Sequence, residues 1–175
     1  MGTILQGWAI TEQSRVHEGT TQIGQGLTTL KTAGVEIMMP YFLALQAEAL
    51  GKCGQTEEGL HRLSEAQAAA DATAERWWQA EIHRVRGELL LHHVGAPELK
   101  APERDEVEDC FRRALAIARA QGAKSLELRA AMSLNRMPQA KNSDTRKTLE
   151  DIYNWFSEGF DTADLKEAKT LLEQN

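Results

Sequence analysis

The chain reads as all-α: a right-handed superhelical stack of about four helical hairpins, tetratricopeptide-like, closed by a C-terminal helix. A forty-residue register predicts it first. Gly7, Ala47 and Gly87 are forty apart, Gly26 and Ala66 follow the first two by nineteen, and Gly19 and Gly59 follow them by twelve. Ile23 and Leu63 come four residues after those glycines, and a third copy keeps the tail of the pattern as Val107, Phe111 and Ala114 after about eight inserted residues. A glycine inside a helix costs about 1 kcal/mol relative to alanine. Small residues in register on both helices of a pair, with a large apolar residue between, therefore mark close crossings in a helical-hairpin repeat. Composition is the second observation. The chain is rich in Ala, Leu, Glu, Gln and Arg, good helix formers, and poor in β-branched runs.

The elements follow in order. A first hairpin spans about 3–13 and 16–32, broken at Gly34. Pro40 opens the next helix, since proline suits a first helical turn, and Phe42, Leu43, Leu45, Gln46, Ala49 and Leu50 carry it to the Lys52-Cys53-Gly54 stop. Thr56 serves as N-cap of its partner, with Glu57 and Glu58 in the first turn. That partner buries Leu60, Leu63, Ala66, Gln67 and Ala70 along one stripe. The third hairpin starts near Glu75 or Arg76 and runs through Trp77, Trp78, Ile82, Val85, Leu89 and Leu90 to His93. Val94 to Pro102, with two prolines and a glycine, is the loop and the insertion site. Its partner runs from about Glu103 to Gln121 and ends at Gly122. Ser125 caps a further helix that stops at Met137-Pro138; Gln139 to Ser143 is polar loop. Asp144 begins a helix to about Phe156, and Asp161 and Asp164 make an acidic start to a last one ending in Leu171 and Leu172. No linker divides the chain, so 1–175 is one domain of about nine helices.

Composition also narrows the function. With 42% hydrophobic and 26% charged residues, the balance is that of a globular chain. The net charge of −6 lacks the clustered basic face that phosphate recognition needs. Arg112, Arg113, Arg119 and Lys124 follow Glu106, Glu108 and Asp109 on one helix, an order that complements the helix dipole. No stretch approaches the roughly 20 apolar residues of a membrane span, and the N-terminus lacks the features of a secretory signal. Cys53 and Cys110, far apart and outside any CxxC, read as free buried thiols of a cytoplasmic protein.

The small positions Gly7, Gly19 and Gly26, and Ala47, Gly59 and Ala66, fall where tetratricopeptide repeats place Gly or Ala, and Ile23, Leu63 and Phe111 fall at the large apolar position. HEAT-like repeats share the forty-residue period and stay open as an architecture. Longer strings are more specific: Pro40-Tyr41-Phe42-Leu43-Ala44-Leu45 with Ala47-Glu48-Ala49; Glu75-Arg76-Trp77-Trp78 with Ala80-Glu81, His83-Arg84 and Gly87-Glu88-Leu89-Leu90; Cys110-Phe111-Arg112-Arg113-Ala114-Leu115 with Lys124-Ser125-Leu126-Glu127-Leu128-Arg129; and Trp155-Phe156 with Glu158-Gly159-Phe160-Asp161. Together they resemble the C-terminal tetratricopeptide region of bacterial STAND-type signalling ATPases and of their fusions with class III adenylate/guanylate cyclase domains. The resemblance implies a non-catalytic sensor or scaffold module whose partner is a protein or peptide, including an adjacent ATPase or cyclase domain. The chain has no GxxxxGK[ST] loop, no cyclase aspartate pair and no DNA-reading helix before the repeats.

In that family the first helix of each hairpin lines a concave peptide-binding face. Carried over by register, the face comprises Tyr41, Ala44, Glu48 and Lys52, then Glu81, Arg84, Glu88 and His92. Its mixed charges do not make a basic clamp for C-terminal carboxylates. Glu81, Arg84 and Glu88 also form an i+3/i+4 ion-pair ladder, and no activated nucleophile accompanies them, Ser64 and Ser125 having no evident base. His83 and His92 are about 180° apart on a helix, and with His93 they lack a metal-site pattern; no metal or cofactor is expected. Trp77 and Trp78 are expected about 100° apart on a helix, one between hairpins and one at a groove, which leaves open a small-molecule sensor with an aromatic-lined pocket near Arg84. Ile4, Leu5 and Trp8 read as a poorly covered first helix through which terminal hairpins self-associate.

Overall fold

A computed structural model describes residues 1–94, 100–137 and 143–174. Among these residues it has nine α-helices and no strand: α1 (Gly2–Glu12), α2 (Val16–Thr32), α3 (Met39–Lys52), α4 (Thr56–Thr73), α5 (Gln79–Val94), α6 (Ala101–Ala120), α7 (Lys124–Arg136), α8 (Ser143–Tyr153) and α9 (Ala163–Glu173). Helices adjacent in the chain pack together, α1 with α2, α3 with α4 and α5 with α6. The odd-numbered helices also touch one another in succession, α1 to α3, α3 to α5, α5 to α7 and α7 to α9. None of the helices is long and apolar enough to cross a membrane.

The crossings fall on the small residues of the register. A Cβ on Gly7 would stand 2.8 Å from the Gly19 carbonyl oxygen and 2.9 Å from the Ile23 nitrogen. One on Gly19 would meet the Gly7 carbonyl and lie 2.7 Å from the Thr11 nitrogen, and one on Gly26 would lie 2.5 Å from Ile4. α1 and α2 thus run antiparallel with backbones in contact. In the second pair, a Cβ on Gly59 would lie 3.1 Å from the Ala47 carbonyl; in the third, one on Gly87 would lie 2.5 Å from the Phe111 ring. Ile23, Leu63 and Phe111 fill the space beside these contacts and are fully buried.

The turns repeat as well. Arg15, Val35, Gln55 and Ala123 each donate their backbone N–H to the carbonyl five residues earlier. Each follows a residue of positive φ, namely Ser14, Gly34, Gly54 and Gly122. This is the Schellman termination, which satisfies the last carbonyls of α1, α2, α3 and α6. Ser14 is the non-glycine in the set.

A continuous apolar core runs through α1 to α5, from Ile4 and Ile23 to Val85 and Leu89. A second, of Leu128, Ala131, Met132, Leu149, Ile152 and Leu165, holds α7 to α9. Val107 and Phe111 pack with Leu134 and Met137 between them.

Several expectations are corrected. Ile4 is fully buried against Gly26, because the missing Cβ admits it, so only Leu5 and Trp8 remain uncovered on α1. The third hairpin starts later than expected: Trp77 and Trp78 lie in the turn before α5, with ring centroids 5.2 Å apart. Thr56 is buried inside the first turn of α4, where Gln55 is the cap residue, and Ser125 is exposed inside α7, capped at Ala123. α8 stops at Tyr153, and Phe156 packs on the C-terminal core from the turn beyond it. Leu60 and Gln67 are only partly buried. Cys110 is a buried free thiol, whereas Cys53 is half-exposed beside Thr20. The predicted loops at 94–102 and 139–143 fall mostly on 95–99 and 138–142, outside the described residues, as does the His93 side chain.

One buried carboxylate ties α6 to α7. Glu127 is 1% exposed and accepts from Lys124 Nζ at 2.7 Å and Arg119 Nε at 2.9 Å. Burial alone would raise its carboxyl; the two cationic donors outweigh burial and hold it below the usual value.

Two predictions follow from these contacts. Gly19→Ala forces the α1 and α2 backbones apart and should cost about 1–3 kcal/mol. Gly24→Ala, also within α2 but with only a glutamine side-chain end 3.5 Å away, should gain up to about 1 kcal/mol; chemical denaturation giving both variants the same sign would contradict the crossing. Because the Glu127 carboxyl is depressed in the folded state, its contribution is present above the ordinary carboxylate value and lost as pH falls through the lower folded one. Glu127→Gln should cost about 2 kcal/mol at pH 7, with the gap to wild type closing on acidification in pH-dependent melts.

Candidate functional site

The odd-numbered helices share one face, and a groove of about 530 Å³ runs along it, lined from α1, α3, α5, α7, α9 and the turn before α5. Four repeat positions build most of it. In α3 they are Tyr41, Ala44, Leu45 and Glu48; forty residues on they are Glu81, Arg84, Val85 and Glu88. Adding the eight inserted residues gives Arg129, Met132, Ser133 and Arg136 in α7. Helical spacing i, i+3, i+4, i+7 puts each set on one side of its helix. Ten of the twelve line the groove, together with Trp8 and Glu12 of α1, Trp78, and Ala163, Asp164 and Glu167 of α9.

Of the expected face, the groove brings together Tyr41, Ala44, Glu48, Glu81 and Arg84. Lys52 and Glu88 lie beside it and are tied to its lining by ion pairs; His92 is exposed and apart from it. Arg129, Arg136, Trp8, Glu12, Asp164 and Glu167 were absent from the expectation. For Arg129 and Arg136 the signal was available, since the insertion that displaces Phe111 displaces the face by the same amount. Nothing in the register announces Asp164 and Glu167, because α9 lies outside the repeat.

Charges of opposite sign meet across successive helices. Lys52 of α3 pairs with Glu12 of α1, and Glu48 lies 4.0 Å from Arg84 of α5. Glu81 faces Arg129 of α7 at 3.6 Å, and Glu88 faces Arg136 at 3.6 Å while accepting from Ser133 Oγ at 2.6 Å. Arg129 donates to Asp164 at 2.7 Å, and Arg136 pairs with Glu167.

Arg84 is the hub. Its Nε and Nη2 both donate to Glu81 Oε1, at 3.0 and 2.7 Å, and Nη1 donates to Glu88 at 3.4 Å. Burial alone would lower its pKa, yet Glu81, Glu48 and Glu88 together drive it well above the usual arginine value. Glu81 is 4% exposed. Glu48 is half-buried, and burial pushes its carboxyl upward against the opposing pull of Arg84 and Lys52.

An aromatic wall adjoins this network. Tyr41 meets Trp78 edge-on with centroids 4.8 Å apart and Trp77 at 5.5 Å. Trp78 lines the groove, while Trp77 is 44% exposed and lies outside the lining. Two buried polar atoms of the lining find no hydrogen-bond partner among the described residues, Trp78 Nε1 and Glu81 Oε2. His83 is partly buried off the groove, its pKa lowered by burial and by Arg113 and Arg86. No group of three or more His, Cys, Asp or Glu among the described residues is placed to hold a metal ion.

No family model matches the chain, and no solved structure matches it. It is 30% identical over 134 residues to an uncharacterized protein of Rhizobium meliloti (strain 1021). The match takes in 77% of this chain but 12% of that protein, so the chain spans a small part of the relative's length.

Arg84 holds buried carboxylates in place. Arg84→Met should therefore cost about 3–5 kcal/mol by leaving buried Glu81 with Arg129 at 3.6 Å and no hydrogen-bonding arginine, and Arg84→Lys should recover only part, since an ammonium lacks the planar fork. Adding Glu81→Met to Arg84→Met should bring stability back toward wild type in urea melts. A double variant as unstable as the sum of the singles would refute the coupling.

Proposed function

We propose that the chain is a non-catalytic protein-interaction and regulatory module, a right-handed tetratricopeptide-like stack resembling the C-terminal region of bacterial STAND-type signalling ATPases and cyclase fusions. The observation that carries this reading is the groove: one face built by repeat positions from successive first helices, as a stacked-hairpin array presents for binding. The match to a small part of a much longer protein supports a module working beside other domains. On this reading the partner is a protein or peptide in the cytoplasm, an adjacent ATPase or cyclase domain included, and not nucleic acid or membrane. Leu5 and Trp8 on α1 offer a smaller surface for self-association.

The groove also changes which residues serve the partner. Arg84 and Glu81 are engaged inside the fold, so contacts fall to the more open lining: Trp8, Tyr41, Arg129 and Glu167. A second reading, a small-molecule sensor, draws on the Tyr41–Trp78 wall next to Arg84.

Two measurements separate the readings. Trp8→Ala should release a captured partner, while Trp155→Ala, at a tryptophan 61% exposed and outside the groove, should retain it; equal retention by both refutes the assignment of the face. A thermal-shift screen of metabolites and nucleotides should give no large saturable shift. A ligand at a hundred times its Kd would stabilise by about 2.7 kcal/mol and would favour the sensor.

A further inference from the structure

From the contacts that recur between successive hairpins we infer that the outward face of α1 seats a further helical hairpin of the same forty-residue register, standing ahead of α1 as the α1–α2 pair stands ahead of α3. The inference is independent of the groove, since Leu5 and Ala9, which carry it, lie outside the groove lining.

Contacts from one hairpin to the next repeat position for position. The Gln46 amide of α3 lies 3.5 Å from where a Cβ on Gly24 of α2 would stand. Forty residues on, Arg86 of α5 reaches Ser64 Oγ of α4 at 3.4 Å. Leu89 of α5 fills the space left by Gly51 and Gly59 of the pair before it, and a Cβ on Gly59 would lie 2.9 Å from that side chain. On α1 the same two positions are Gln6 and Ala9, and both are exposed. Leu5 shows the difference most directly. It is 43% exposed, whereas Leu45 and Val85, at the same position of first helices that have a hairpin ahead of them, are 6% and 3% exposed.

The two ends of the stack differ in the same sense. Terminal repeats stay soluble by turning a polar face outward. α9 does so, with Lys166, Glu167, Lys169 and Glu173 exposed. α1 exposes Leu5, Gln6, Trp8 and Ala9, and Glu12 is its one charged residue. That face has the composition of a surface buried between pairs, not of a cap. Continuity with the interfaces already in the stack specifies the occupant: a helix pair with small residues where Gly24 or Ser64, Gly51 and Gly59 stand in the pairs that follow. The relative matched over 134 residues is long enough to hold such pairs, that stretch being 12% of it. A second copy of the chain binding through Leu5 would use the same face and so compete with the hairpin.

The test extends the full chain with a tandem copy of its own residues 1–40, so that Pro40 of the added copy runs into Met1 without breaking the register. The extended chain should unfold in urea as one transition, at a higher midpoint than the unextended chain, because stacked repeats stabilise their neighbours. Ala9→Glu in the inner copy should abolish that rise, since docking would bury an unpaired carboxylate. In the unextended chain the same substitution falls on an exposed residue and should leave the midpoint where it was. The readout is therefore the difference in midpoint between extended and unextended chains that carry the same substitution, which cancels any effect on the chain itself. An added hairpin that melts separately, or a rise that survives Ala9→Glu, overturns the inference. Dimerisation of the extended chain in sedimentation, lost with Leu5→Glu in the inner copy, overturns it as well, because a second copy then holds the face.

Discussion

Backbone contact at the helix crossings is the constraint on which the rest depends. Where α1 meets α2, Gly7 and Gly19 leave no room for a methyl group on either side, and Thr11 closes the contact by hydrogen bonding back to the Gly7 carbonyl at 3.1 Å. Such proximity fixes the angle and offset of each pair, since a packed interface cannot slide without opening a void. It also decides what must be large: Ile23, Leu63 and Phe111 fill the wedge that the approaching backbones leave. With the offset repeated from pair to pair, the first helices fall side by side and the second helices fall behind them. The groove on the odd-numbered helices is a consequence of glycines that never touch it.

The same register governs charge. Because equivalent positions stack across neighbouring pairs, like charges at one repeat position would oppose each other on adjacent helices. Between α5 and α7 the signs are opposite, Glu81 against Arg129 and Glu88 against Arg136, while Glu48 and Glu88, alike at one position of α3 and α5, share Arg84 between them. Exposed pairs such as Lys52 with Glu12 contribute little to stability, typically below about 1 kcal/mol. Around Arg84 the situation differs, since Glu81 is removed from water and its carboxylate is tolerable only with a fixed cation. The network therefore sets the register of α3, α5 and α7 more than it adds to the overall free energy, and it leaves Arg84 unavailable as a ligand contact.

Much of the helical pattern was legible in the residues, and the exceptions have physical causes. The glycines and their large apolar companions named the crossings because helix propensity is violated there, and violation needs a compensating contact. Caps were less readable. Thr56 and Ser125 have cap-type side chains, yet Gln55 and Ala123 hold the capping positions. The turn geometry of the preceding Schellman motif, set by Gly54 and Gly122, fixes where the next helix begins. The helix formers around Trp77 and Trp78 point to a helix, but both rings pack near Tyr41 from the turn before α5. On the site, Tyr41, Glu48, Glu81 and Arg84 followed from the register. Arg129 and Arg136 required carrying the eight-residue insertion through to the next first helix. Asp164 and Glu167 belong to a helix with no repeat equivalent, and only tertiary packing brings them to the groove.

A repeat face that doubles as an ion-pair network divides its residues between holding the stack and meeting a partner. Side chains paired on both sides, such as Arg84 and Glu88, cannot change partners without exposing a buried charge. Those paired on one side, such as Glu12 and Glu167, can turn toward a docked chain at little cost. Between these classes lies Glu81, whose two oxygens behave differently: Oε1 is committed to the fold and Oε2 is not. A carboxylate half used in this way is costly for the fold on its own, and the helix-forming sequence around it offers simple alternatives, glutamine among them. Both Oε2 and the neighbouring Trp78 indole N–H are sealed from solvent, so it is the fold itself that bears this cost.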